Sequence, residues 1–341
     1  MNRIKKYFYL KQTIKNLPIP KMIELPAWME KRIDEDIASA SIFGSNLADR
    51  NSFVFCKIRN SKFSFKYSTQ QLLHYRLHVL INYLKFLSSH YVLPDLEFAI
   101  FYGDALETVP SWVSVPTLTF AKRKDSKGPI LIPDFQMLEG YEAFNLQLEQ
   151  YVRKYPWENK KNISFWRGAS TGGFLNTTNF LTIPRVQLAF LSLENPHLID
   201  AYLSEIVQSS EEVSTLLKKK GVLAHSVAVA DHFAYKYLID VDGNTCSYSR
   251  MYWILYSNCV LFKQVSHNIQ WYYYGLEDLK NVCFFSLEND STVEKITTLI
   301  TDDELARSIA ENGRLFCKKY LNSKFVAQYI MTLLSKLKEL S

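Results

Sequence analysis

The sequence predicts an α/β protein built around a mostly parallel sheet, and three observations carry that reading. Short apolar strand patterns alternate with helical ones from Ile163 onward. Twice, a strand-like run ends in a turn of small residues and leads into a helical pattern with an arginine at its start: Ile163 to Gly173 with Ile183-Pro184-Arg185, and Tyr235 to Arg250. Three of the eleven glycines, Gly168, Gly172 and Gly173, fall within six positions, as a backbone with special conformational demands requires.

Those two turns are read as a phosphate site drawn twice. A helix N-terminus has backbone N–H groups without intrahelical partners and a partial positive charge, and small residues let an anion approach it. Arginine adds a permanently charged planar fork that can hold two phosphate oxygens. Neither a G-x-x-x-x-G-K-[ST] loop nor a G-x-G-x-x-G fingerprint is present, so this is neither a Walker site nor a dinucleotide motif. The plain alternative is two ordinary strand–helix turns, each with a solvated arginine.

In chain order, residues 27–42 read as a helix after Pro26, and Phe53 to Tyr67 as a hairpin around Asn60-Ser61. A helix capped by Ser68 or Thr69 follows, its buried stripe formed by Leu72, Leu73, Leu80, Tyr83, Leu84 and Leu87. His74, His78 and His90 lie near it; the first two, at i and i+4, could share a metal, but without a carboxylate in the pattern all three read as packing or solvated residues. The apolar run Phe98 to Tyr102 ends in Gly103-Asp104, which puts Asp104 at the carboxyl end of a strand, where ligands of α/β folds bind. A helix cap or turn former is the commoner use of such an Asp. Val113 to Ala121 is a further strand, Leu146 to Lys154 a helix, and Tyr155 to Lys161 the best linker. The expected boundary separates an N-terminal domain (1–155) from a C-terminal domain (156–341), the last helix being free to pack back on the first. Beyond it come strands at Ile163 to Trp166, Phe233 to Val241, Cys259 to Lys263 and Val282 to Ser286. Helices are expected at Pro184 to Leu193 and Ser249 to Ser257, then two across Asp302 to Leu340.

A chain of 341 residues, 48% hydrophobic, can bury a sizeable core. No run approaches the roughly 18 apolar residues of a membrane span, and no signal-peptide pattern opens the chain. Five scattered cysteines without C-x-x-C spacing argue against a disulfide framework and a zinc site. The +6 net charge is local, since residues 1–23 hold Arg3, Lys5, Lys6, Lys11, Lys15 and Lys21 and no acid. Beside Tyr7 to Leu10, this start could rest on an anionic membrane surface, or be a solvated terminus. The rest of the chain is charge-balanced, which ranks nucleic-acid binding last. The expected location is cytoplasmic, peripheral on the membrane's inner face.

Phe165-Trp166-Arg167-Gly168, Arg185 with Glu194 to Ala201, and Tyr235-Lys236-Tyr237-Leu238 leading to Asp242-Gly243-Asn244 and Ser249-Arg250 resemble the family-90 glycosyltransferases. That family includes animal protein O-glucosyltransferases, a fungal capsule-associated branch and bacterial lipooligosaccharide transferases. The resemblance is good from about Ile163 to Phe285, with a separate match at Asp95 to Asp104. It implies a GT-B arrangement, two Rossmann-like domains facing a cleft, the N-terminal one holding the acceptor and the C-terminal one a UDP-sugar. It also implies Asp104 as catalytic base, pyrophosphate contacts from Arg185 and Arg250, and donor contacts from Arg167, Gly168, Ser170, Gly243, Asn244, Ser247 and Ser249. Ala169 stands where the animal branch has Ser, with Ser170 next to it, and one extra residue before Arg250 leaves Ser247 and Ser249 as alternatives.

The reading that results is an inverting transferase moving glucose or galactose from UDP-glucose or UDP-galactose to the core oligosaccharide of a bacterial lipooligosaccharide. Capsule polysaccharide is the alternative acceptor, and a non-catalytic nucleotide-sugar or glycan-binding module the alternative class. Asp240-Val241-Asp242 places two carboxylates on one face of a strand and could share a metal. Because Arg185 and Arg250 already supply positive charge, a site without metal or other cofactor is expected, with Asp242 as a turn residue. Trp271 to Tyr274 reads as core or interface.

Overall fold

A computed structural model describes residues 14, 17, 19, 21–40, 43–44, 50–67, 74–287 and 291–339. The basic start through Lys15, with Tyr7 to Leu10, lies outside the described residues, as do the expected cap Ser68 or Thr69 and Leu72 and Leu73.

The chain divides into two compact units, one of residues 1–142, 267–275 and 320–341, the other of 143–266 and 276–319. The first contains helix α1 (Ala27–Ile37), strands β1 (Phe53–Arg59) and β2 (Lys62–Lys66), helix α2 (Tyr75–His90), strands β3 (Leu96–Phe101), β4 (Thr117–Thr119) and β5 (Pro129–Leu131), and the short helix α3 (Phe135–Glu139). Its sheet runs β2-β1-β3-β4-β5. The β1–β2 hairpin turns at Asn60 and Ser61, both with positive φ, and β1 is antiparallel to β3, whereas β3, β4 and β5 run parallel. Helix α2 buries Leu80, Tyr83, Leu84 and Leu87, the stripe its periodicity predicts.

The second unit opens with α4 (Glu142–Lys154) and continues through β6 (Lys161–Ala169), α5 (Pro184–Glu194), β7 (Ile199–Glu205), α6 (Glu211–Lys219), α7 (Val229–His232) and β8 (Tyr235–Asp240). It is completed by α8 (Tyr248–Tyr256), β9 (Val260–Gln264), β10 (Cys283–Phe285), α9 (Ser291–Thr301) and α10 (Asp303–Tyr320). Its sheet has the order β7-β6-β8-β9-β10 and every pair in it is parallel. This is the sheet that alternating strands and helices call for, its middle strands β8 and β9 largely buried and its edge strand β7 alternating buried and half-buried residues. Residues 155–161 fold inside this unit, with a 3-10 turn over Trp157–Asn159 that buries the Trp157 indole.

The final helix, α11 (Ser323–Glu339), belongs to the first unit, where Tyr329 donates to the Leu131 carbonyl. So do Trp271 and Tyr272, both buried, with the Trp271 ring edge-on to Tyr329 at 5.0 Å. Tyr274 donates to the Glu35 carboxylate and lies under the Arg32 guanidinium. The aromatic run therefore packs the core of that unit, where Asp36 is buried and receives Lys122 and Arg32.

Candidate active site

In the second unit, β6 and β8 are neighbours, so the turns that follow them meet at the carboxyl edge of the sheet. The Gly172 amide donates to Asn244 Oδ1 at 3.2 Å, joining one turn to the other. Gly172 and Gly173 have φ of +139° and +125°, conformations that L side chains rarely adopt. Gly243 is held to its size by contact: a Cβ there would fall 2.5 Å from Thr171 Oγ1 and 2.9 Å from Arg185 Nη2.

Arg185 enters at the start of α5, directly after Pro184 at the helix's first position. Its guanidinium binds four oxygens: Nε donates to the Asp242 carbonyl at 3.1 Å, Nη1 to the Ala169 carbonyl at 3.0 Å and Thr171 Oγ1 at 2.7 Å, and Nη2 to the Val241 carbonyl at 3.3 Å. One side chain thus ties together the ends of both strands. Arg250, in the first turn of α8, donates through Nη2 to the Arg167 carbonyl at 2.7 Å, while its buried Nη1 has no hydrogen-bond partner among the described residues. Burial, then the nearby Arg250 charge, pushes Arg185 down to about 10, and burial lowers Arg250 as well. Arg185 therefore stays a cation at neutral pH.

Beneath them, Lys263 pairs with both carboxylates of the Asp-x-Asp run. Its ammonium lies 2.6 Å from Asp242 Oδ1 and 3.1 Å from Asp240 Oδ2, and all three side chains are buried. Burial alone would lower the Lys263 pKa, yet the Asp242 and Asp240 carboxylates hold it above its usual range. Lys263 is the register partner of Asp240 on the adjacent parallel strand, which is what places it there. Asp242 is thus an ion-pair partner as well as the residue before the turn. Among the described residues, no three His, Cys, Asp or Glu side chains gather as a metal site would need.

The remaining expected donor residues divide. Ser247 donates to the Asp240 carboxylate, binding the start of α8 to the buried ion pair; Ser249 lies half-buried in that helix's first turn. The Ser170 hydroxyl is buried, donating to the Val207 carbonyl at 2.8 Å and accepting from the Val207 amide at 2.8 Å, so it pins the turn after β6. Arg167 pairs with Asp200 on β7 at 2.6 Å and is stacked between Phe165 and Tyr202. Gly168 lies against the Trp166 ring, where a Cβ would fall 2.6 Å from the indole. Asn244 is exposed at the tip.

Asp104 belongs to the first unit, three residues past the end of β3, with its side chain 46% exposed. Its Oδ1 receives Arg76 Nη2 at 2.8 Å. At Gly103 before it, a Cβ would meet the far edge of the Phe101 ring. Sequence reasoning assigned no role to Lys263, Thr171, Asp200 or Arg76. Of these, Lys263 left a visible signal, a lysine closing the apolar run Cys259 to Phe262.

The sequence model of glycosyl transferase family 90 matches residues 30–341, and the chain belongs to that family. Human (Homo sapiens) protein O-glucosyltransferase 3 is 28% identical over 265 residues, covering 74% of this chain and 48% of the human protein. Danio rerio protein O-glucosyltransferase 2 is 28% identical over 256 residues, covering 73% of this chain and 48% of its own length. The O-glucosyltransferase rumi of Drosophila pseudoobscura pseudoobscura is 27% identical over 263 residues, 71% of this chain and 60% of the fly protein. The chain thus spans about half the length of the human and fish relatives. Among solved structures, TarM overlaps 52% of this chain and 35% of its own at 11% identity, with a TM-score of 0.37. No helix among the described residues is long and apolar enough to cross a membrane.

Proposed function

We propose that this chain is a UDP-sugar-dependent hexosyltransferase that binds its donor diphosphate at the paired turns after β6 and β8. One observation carries this reading: among the described residues, three buried or half-buried cations, Arg185, Arg250 and Lys263, face two carboxylates, Asp240 and Asp242, and Arg250 Nη1 has no hydrogen-bond partner. A surplus positive charge with an unmet donor is costly unless an anion completes it. Arg250 gives the direct contact, while Arg185 supplies charge and holds the turns. Gly243 and the Gly172–Gly173 backbone leave room for phosphate oxygens, with Asn244 and Ser249 at the rim. Ser170, Ser247, Arg167 and Gly168 act by fixing the turns.

The reaction is direct displacement. Asp104 takes the proton from an acceptor hydroxyl, whose oxygen forms a bond to the anomeric carbon as the bond to UDP breaks. The electron pair leaves on the diphosphate, stabilised by the arginines. Attack opposite the leaving group inverts the centre, giving a β-linkage from an α-linked donor. Because Lys263 is ion-paired with both Asp240 and Asp242 and the arginines supply the positive charge facing the diphosphate, no metal is required.

The proposed donor is UDP-glucose or UDP-galactose and the proposed acceptor the core oligosaccharide of a bacterial lipooligosaccharide, reached on the cytoplasmic face of an anionic membrane. Buried cysteines that form no disulfide and the basic start support that setting. A protein hydroxyl is the second reading, favoured by the names of the matched relatives. The test is thermal stabilisation by UDP, UDP-glucose and UDP-galactose with and without EDTA. A shift that survives EDTA supports the site; none with any nucleotide removes it, and a shift abolished by EDTA returns the Asp240–Asp242 pair to metal binding. Hexose transfer to deacylated lipooligosaccharide, set against transfer to a serine peptide, decides the acceptor.

A further inference from the structure

We infer that Arg76 is the positioning residue for the Asp104 carboxylate, an inference that rests on Asp104 acting as the base. A carboxylate on an exposed turn samples several rotamers, and a base must be held where the hydroxyl arrives. Arg76 provides the hold. It sits in the first turn of α2 and is itself fixed on separate sides. Its Nη1 donates to the Tyr102 carbonyl at 3.3 Å, its Nη2 to Asp104 Oδ1 at 2.8 Å, and its guanidinium lies 4.8 Å over the Phe135 ring.

That ring is anchored in turn. Phe135 packs against Phe120 at 5.7 Å and edge-on to Tyr75 at 6.0 Å. Its helix, α3, is capped by the buried Asp134, which accepts the Gln136 amide at 2.9 Å and the Met137 amide at 3.2 Å. A chain of contacts therefore runs from the core through Phe135 and Arg76 to Asp104. Because the same guanidinium grips the Tyr102 carbonyl, it fixes the backbone of the turn as well as the carboxylate it carries. The ion pair is partly solvated, so it contributes little to stability, and its value lies in orientation.

The experiment compares Arg76→Met, Arg76→Lys and Asp104→Asn by UDP release from the donor, with water as acceptor and with added oligosaccharide. The melting temperature of each variant is measured alongside. The expected result for Arg76→Met is a kcat lower by roughly a hundredfold, with unchanged donor KM and melting temperature. Arg76→Lys recovers most of the loss, and millimolar guanidinium partly restores the Met variant. Full kcat in Arg76→Met alongside an inactive Asp104→Asn overturns the positioning role and leaves the base in place. Full kcat in Asp104→Asn overturns the base itself. A parallel fall of kcat and melting temperature that guanidinium does not restore makes Arg76 a folding residue and overturns the inference.

Discussion

The ammonium of Lys263 lies 2.6 Å from the carboxylate of Asp242, both groups closed off from solvent, with Asp240 at 3.1 Å on the other side. Removing one member of a buried ionic cluster leaves its partners charged in a medium that cannot solvate them. Lys263→Met is expected to lose about 3–5 kcal/mol of stability. Adding Asp240→Asn and Asp242→Asn to it should return a large part, since the stranded charges go with them. Urea denaturation of the single and triple variants measures this. If the single variant were as stable as the parent, the carboxylates would have to be neutralised by something other than Lys263.

Gly243→Ala tests the frame around the arginine. The new methyl would lie 2.9 Å from Arg185 Nη2 and 3.0 Å from its central carbon, so the guanidinium must shift and lose part of its grip on the two turns. Overpacking of this kind costs about 1–3 kcal/mol. The expected outcome is a modest drop in melting temperature together with a larger loss of UDP-induced stabilisation. Unchanged UDP stabilisation would show that the position of Arg185 is immaterial to the site.

Much of this architecture is legible in the amino-acid sequence, and what is not has a physical cause. The parallel sheet of the second unit is readable because the inner stretches of β6, β8 and β9 are apolar and the turns after β6 and β8 are marked by Gly172, Gly173 and Gly243. Strand β7 was missed because its alternating Ile199-Asp200-Ala201-Tyr202 pattern is half polar; Asp200 is there to pair with Arg167. The ends of Arg167, Ser170 and Ser247 were equally invisible, since spacing places a residue on a turn without saying which way its side chain points. The apolar run before Gly103 places Asp104 just past a strand end, whereas Arg76, 28 positions away on a helix, carries no local sign of its ion pair with it. The unit division also follows long-range packing: Trp271 meets Tyr329 across a chain separation that no periodicity encodes.

Asp104→Asn and Arg250→Ala separate chemistry from binding. The amide keeps the size of Asp104 but cannot accept a proton, so transfer should fall by about 10²–10⁴-fold while UDP stabilisation stays. Arg250→Ala should instead weaken UDP binding itself, by about 1.5–3 kcal/mol for a charged hydrogen bond. Thermal shifts and initial rates on both variants check the pair. An Asp104→Asn protein with full turnover, or an Arg250→Ala protein with full UDP affinity, would reverse the respective assignment.

His232 sets an acid limit on the second unit. The ring is 4% exposed, edge-on to Phe165 and Trp253, with Nδ1 2.9 Å from the Ala228 carbonyl and a buried Nε2 without a hydrogen-bond partner among the described residues. Burial, with the Arg250 and Arg167 charges adding to it, pushes its pKa down to about 4. The unfolded chain binds a proton near pH 6.5 and the folded one does not until about pH 4. Stability contributed by the neutral ring is therefore intact above about pH 6.5 and lost as pH falls toward 4, by about 3 kcal/mol in all. Asp134, pushed up to about 6 by burial, acts in the opposite sense and stabilises the first unit as pH falls through the same range. The difference between parent and His232→Phe isolates the imidazole. Denaturation midpoints should be similar at pH 7.5 and favour the Phe variant at pH 4.5, whereas parallel pH dependences would mean that His232 takes up its proton in the folded chain.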